Sequence, residues 1–120
     1  MASDTAFIAS ADATLAAIGA ALDVALAESD ADVDWSFNDG ILEIDCGGNG
    51  KLIVNRHVAN REIWVAARSG GFHFHAHDGR WRDTRSAQEL AATLTRLLSE
   101  QARLDVDLSE LPPPSPAEIG

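Results

Sequence analysis

Four acids stand at alternate positions in Glu28-Ser29-Asp30-Ala31-Asp32-Val33-Asp34, and these are the residues whose types and spacing could do chemistry. Hard cations such as iron prefer several oxygen ligands, and exposed carboxylates supply them without a preformed cage. An EF-hand loop would place Gly sixth and Glu twelfth counted from Asp30, where the chain has Trp35 and Ile41, so that reading fails. A low-affinity surface cation site remains, set against the plainer reading that the acids only keep a small protein soluble. His73, His75 and His77 alternate and share one strand face, a spacing that could hold a transition metal. The Asp78-Gly79 turn, however, would set Arg82 beside His75 and Arg80 beside His77, so these imidazoles read as a solvent-facing basic patch. The single Cys46 excludes an internal disulfide or a multi-cysteine zinc or cluster site, and reads as an inert buried thiol. Nucleophile elbows, phosphate loops and His-x-x-x-His pairs are missing, so no enzyme signature emerges.

The charge is divided along the chain. Residues 1–50 hold Asp4, Asp12, Asp23, Glu28, Asp30, Asp32, Asp34, Asp39, Glu43 and Asp45 without one Lys or Arg, within a net charge of −10 over 120 residues. All nine basic residues fall between Lys51 and Arg103. Such a first half repels nucleic acid and anionic membranes, and attracts hard cations or a basic protein surface. No apolar run reaches the length expected of a membrane span, and the acidic, arginine-free Met1–Asp12 resembles neither a secretory signal nor a transit peptide. A cytoplasmic protein is expected.

These residues must be positioned by a small set of elements. Phe7, Ala11, Leu15, Ile18, Leu22 and Leu26 recur at helical spacing and predict a helix over Thr5–Ala27, capped by Ser3 or Asp4. From Asp32 the period becomes two, with Val33, Trp35 and Phe37 inward. Asp39-Gly40 is a two-residue hairpin signal. It pairs Phe37 with Leu42, Trp35 with Ile44, Ser36 with Glu43, Val33 with Cys46, and Asp34 with Asp45. Further strands are expected at Lys51–Arg56, Arg61–Ala67, Phe72–His77 and around Trp81. Ser86 and Glu89 read as a capping box for a second helix running to about Arg103. Leu104, Val106 and Leu108 then alternate as an extended, partly packed segment. The expectation is an α+β domain over residues 1–111, with both helices on one face of an antiparallel sheet of about six strands. Residues 112–120, opening on three prolines, are expected to form a flexible tail. Trp35 and Trp81 fall on core positions. Trp64 lies in an all-apolar run, so alternation leaves its direction open.

Asn38-Asp39-Gly40-Ile41-Leu42, Lys51-Leu-Ile-Val-Asn55-Arg56, Ile63-Trp64-Val65-Ala66 and Ser69-Gly70-Gly71-Phe72-His73-Phe74, with Trp81 and the last helix, together resemble the bacterial frataxins of CyaY type. The resemblance spans roughly Asp4 to Arg103. It implies the frataxin α-β sandwich, and an accessory role in iron–sulfur cluster assembly as iron donor or sensor and regulator. The implied partners are the cysteine desulfurase and its scaffold protein, and the implied state without iron is a monomer. Iron (Fe2+ or Fe3+) would bind weakly at an acidic ridge matched here by Asp23, Asp32 and Asp34, with Glu28 and Asp30 between them. Gly19, Ala20, Val24, Leu26 and Ser36 stand where bacterial relatives commonly carry acids, so the ridge is thinned. The Asp34–Asp45 pairing therefore shifts the expected iron site toward Asp32, Asp34 and Asp45. The family pattern also turns Trp64 to the open sheet face, and joins Asn55 and Arg56 to it as a partner surface. Two rival functions are an acidic interaction module with incidental cation binding, and a weak ferroxidase.

Overall fold

The computed structural model describes residues 4–114. Helix α1 runs Asp4–Ala27 and buries Phe7, Ala11, Leu15, Ile18 and Leu22 along one stripe. Burying each of the large side chains contributes about 1.5–3 kcal/mol. Ser3, one of the two expected caps, lies outside the described residues. Asp4 is the first helical residue, and its carboxylate accepts a hydrogen bond from Arg61 Nη2 at 3.1 Å. Contrary to the expectation from sequence, α1 is long and apolar enough to cross a membrane by length and composition alone. Alanine is the reason: it raises hydropathy without demanding burial. Phe7, Leu15, Ile18 and Leu22 are directed into the core, while Val24 is left exposed.

The strands are β1 (Asp34–Asn38), β2 (Ile41–Asp45), β3 (Lys51–His57), β4 (Glu62–Ala67), β5 (Gly70–His77) and β6 (Arg80–Asp83). They form one antiparallel meander in chain order. The β1–β2 register is Asp34 to Asp45, Trp35 to Ile44, Ser36 to Glu43 and Phe37 to Leu42, as the turn chemistry predicts. At both two-residue hairpins the central pair has positive φ: 52° and 76° at Asp39-Gly40, 54° and 74° at Asp78-Gly79. That geometry matches the twist of the flanking strands. Leu42, Ile44, Leu52, Val54, Ile63 and Phe74 are fully buried under the helices, and Val33 is buried while Asp32 and Asp34 are exposed. Phe37 and Phe72 pack against this core but keep some exposure. Trp81 is buried, donates Nε1–H to Thr14 Oγ1 at 3.1 Å, and meets Phe7 edge-on.

The second helix departs from expectation. Helix α2 covers only Leu90–Leu97, and a wider π-type turn carries the chain through Leu98–Ala102. Arg103 then stops it in the left-handed conformation. The capping box does not form. Ala87 at φ 65° bends the chain, so Ser86 Oγ accepts from the Gln88 amide, while Asp83 accepts from the amides of Arg85 and Ser86. The wide turn presents Gln101, buried, to three backbone groups: it accepts from Arg68 N and donates to the carbonyls of Asn49 and Lys51. Leu104, Val106 and Leu108 are buried beyond it. Ser115 onward, most of the expected tail, lies outside the described residues.

Candidate metal and partner-binding site

The acidic edge is built by the β1–β2 hairpin. Asp45 is the cross-strand partner of Asp34 on one side and of Lys51 on the other. Its Oδ1 accepts from the Gly47 amide at 3.0 Å, in the turn that follows β2. Asp32 lies against that turn: a Cβ built on Gly47 would stand 3.3 Å from the Asp32 carbonyl oxygen and 3.6 Å from its Oδ2. The fold thus gathers Asp32, Asp34 and Asp45 at one corner of the sheet. Glu43, two residues from Asp45 on the same face, pairs with Lys51 at 2.9 Å. The Glu43 hydrogen bond and charge hold the Lys51 ammonium above its ordinary range. Glu28 and Asp30 are exposed in the link between α1 and β1. Asp23 is set apart on α1, where its Oδ1 accepts from Trp35 Nε1 at 2.9 Å. Among the described residues, no three carboxylate, imidazole or thiolate groups are placed to cage an ion.

Gly19 requires a correction. It belongs to the packed face of α1 and not to the ridge, with the Trp35 indole lying across it. Of the thinned positions, Ala20 and Val24 on α1 and Ser36 on β1 are the exposed ones where an acid could stand.

Like charges opposite one another in an antiparallel pair are destabilising by roughly 0.2–1 kcal/mol. Replacing Asp34 and Asp45 by Asn is therefore expected to raise the melting temperature of the metal-free protein by roughly 1–4 °C at low ionic strength. Lys51 offsets part of the repulsion, which keeps the gain small. A lower melting temperature in the double variant would show that the two carboxylates are held by contacts worth more than their repulsion.

The open sheet face carries the second feature. Ile63 and Val65 are buried, so Trp64 points to the side without helices. There it is stacked between two imidazoles, with ring centroids 3.8 Å from His57 and 4.2 Å from His73 and each imidazole plane within 8° of the indole plane. Trp64 Nε1 donates to Glu62 Oε1 at 2.7 Å. The stack fixes the indole rotamer and leaves an edge of the ring for contact. Asn55 is the cross-strand neighbour of Trp64, and exposed Ile41 continues the row. Arg56 is the second correction. It points to the helix side, where Nη1 donates to both oxygens of Asp12 at 2.5 and 2.7 Å and Nη2 lies 3.6 Å from Asp39. Strand alternation puts Asn55 and Arg56 on opposite faces, so only Asn55 joins Trp64. Gly40 is what admits the guanidinium: a Cβ there would meet Arg56 Cζ at 2.6 Å.

His57, Glu62, His73 and Asp12 were not predicted as site or support residues. Cross-strand register would have found His73 opposite Trp64, but no single-strand pattern carries it. Cys46 is buried, and burial first, then the Asp45 charge, pushes its thiol up.

A model of the frataxin-like domain matches residues 1–104. The chain belongs to the frataxin family. Among curated proteins, this frataxin is 42% identical over 105 residues to the iron-sulfur cluster assembly protein CyaY of Ralstonia nicotianae, covering 88% of this chain and 93% of the relative. It is 40% identical over 107 residues to CyaY of Burkholderia mallei, covering 89% and 98%. The frataxin of Psychromonas ingrahamii superposes with a TM-score of 0.72 at 31% identity, over 91% of this chain and all of the other. A trimeric yeast frataxin, solved in complex with ferrous iron, gives 0.68 at 25% identity over 78% and 86%. The expected frataxin-like α-β sandwich is therefore the fold of this chain, and its family is one of accessory proteins of iron–sulfur cluster assembly.

Proposed function

We propose that this frataxin binds iron loosely at the acidic corner of its sheet and docks through the open face on the cysteine desulfurase complex of the cluster-assembly machinery, regulating it without catalysing a step itself. The observation that carries the reading is the Asp34–Asp45 pair, two like charges set opposite one another on a solvent-facing edge with Asp32 beside them. A sheet gains from this only if a cation or a basic surface offsets the repulsion. Asp32, Asp34 and Asp45 are the leading ligands, with Glu28 and Asp30 assisting from the link. Asp23 contributes less, because it already serves Trp35. Trp64 and Asn55 form the docking row, and Arg56 supports the fold. The scaffold protein is a further partner of the same complex, the metal-free state is a monomer, and the site of action is the cytoplasm.

An NMR titration with ferrous iron tests the metal half. Amides of residues 30–34 and 43–47 are expected to broaden first, ahead of those around Asp23. Broadening confined to α1, or to His73–His77, would remove the assignment. A second reading has its own support: Lys51 already sits on Glu43, so a cationic side chain fits this edge. A basic protein surface could then be the main occupant, with iron incidental. Desulfurase binding in iron-free buffer that is unchanged by added iron would favour that version.

A further inference from the structure

All four histidines of the chain lie on the open sheet face. His57 and His73 flank Trp64, His75 pairs with Arg82, and His77 pairs with Arg80. The same face therefore runs from fixed carboxylates at β1–β2 to imidazoles and guanidiniums at β5–β6. We propose that the β5–β6 corner, formed by His73, His75, His77, Arg80 and Arg82, is a second docking point that takes an acidic segment of a protein partner and holds it more tightly as the imidazoles protonate. The proposal deepens the docking role given to this face above.

The corner is only partly neutralised. Glu62 on β4 is engaged by Trp64 Nε1 and lies 3.8 Å from His73 Nδ1. Asp78 lies 3.4 Å from His77 Nε2, and Glu89 lies 3.8 Å from Arg80 Nε. Arg82 makes no ion pair among the described residues; its Nη1 donates to the Ala87 carbonyl at 3.2 Å. Just beyond the corner, Arg85 Nη2 donates to the Gly71 carbonyl. From β3 the neighbour is His57, whose Nδ1 is buried without a hydrogen-bond partner. That leaves His73, His75 and His77 as the imidazoles open to an incoming anion, and the side chains of His73, His77 and Arg80 are 49%, 60% and 59% exposed. Imidazole is the side chain that ordinarily changes charge near neutral pH, and three of the chain's four imidazoles stand at this corner. An extended polyanion is a poor fit. With strands about 4.8 Å apart and a rise of about 3.3 Å per residue, Asp34 and Asp45 lie diagonally across the same face, roughly 20–35 Å from the corner residues, and would repel nucleic acid or an anionic bilayer laid across it. A protein surface carrying both signs suits both ends.

The test is a ¹⁵N NMR titration of the full chain with a peptide of six glutamates spaced by glycine, whose carboxylates stay ionised at pH 6.0. Amide shifts are expected at residues 73–85, with affinity about tenfold higher at pH 6.0 than at pH 7.5. Arg80→Gln with Arg82→Gln is expected to weaken binding about tenfold at both pH values. His75→Gln with His77→Gln should keep most of the pH 7.5 affinity and flatten the pH dependence. The proposal is overturned if millimolar peptide shifts nothing, or if the arginine variant binds as well as the parent. It is equally overturned if a uridine decanucleotide or anionic lipid vesicles bind the corner more tightly than the peptide. Because the peptide replaces the partner, a failure here is separate from a failure of desulfurase docking, which Trp64→Ala reports.

Discussion

Trp64→Ala is expected to weaken docking on the cysteine desulfurase by at least about 2 kcal/mol, or roughly 30-fold in Kd, while the protein stays folded. The size follows from where the ring stands. It lies mid-sheet on the open face, with its Nε1 hydrogen bond to Glu62 made and both faces held by imidazoles. A partner meeting it spends little on freezing its rotamer, which is the condition under which an aromatic anchor contributes most. The fold loses two ring stacks, worth about 1–3 kcal/mol together, against a total stability of about 5–15 kcal/mol. Isothermal titration with the desulfurase and thermal melts of the variant separate the two effects. A variant that unfolds while each folded molecule binds as before would show that the indole is structural. His57→Ala is expected to lie between, because it frees one face of the indole without removing it.

Gly19→Glu is expected to cost at least about 3 kcal/mol and to lower the melting temperature by more than about 10 °C. From sequence alone this change looks like restoration of a ridge acid. In the fold, a Cβ at position 19 would stand 2.7 Å from Trp35 Cη2 and 2.8 Å from Cζ3, atoms of a rigid ring. Either the indole leaves, taking its hydrogen bond to Asp23 with it, or the carboxylate is buried. The gain in helix propensity over glycine, about 1 kcal/mol, recovers only part of this. Val24→Glu is the control, since Val24 is 66% exposed and the change should stay within about 0.5 kcal/mol. Thermal melts and tryptophan fluorescence, red-shifted only in the Gly19 variant, provide the readout. If Gly19→Glu melts like the parent and strengthens iron binding, Trp35 does not depend on the glycine and the ridge extends onto α1 after all.

What was legible in the sequence was whatever depends on neighbours along the chain. Period two, together with Asp39-Gly40 and Asp78-Gly79, determined two hairpin registers residue by residue, and with them the Asp34–Asp45, His75–Arg82 and His77–Arg80 pairs. Those turns leave the chain only one way to twist back, so local chemistry was enough. The α1 stripe was legible for the same reason, and the family likeness followed from the order of such segments. Tertiary structure decided the rest. The direction of Trp64 depended on which side the helices cover, because an all-apolar run has no alternation to read. Arg56 was placed by Asp12, forty-four residues away, through a space that Gly40 leaves open. Gly19 became a packing position only when Trp35 crossed it, and the His57–Trp64–His73 stack needed three strands to be adjacent. The Ser86–Glu89 cap failed for a local reason instead: Ala87 bends the chain next to Ser86, and the buried carboxylate of Asp83 takes the amides of Arg85 and Ser86. For Trp64, Arg56 and Gly19 the deciding contact joins residues that no spacing along the chain relates, and only the packed sheet brings them within a few ångströms.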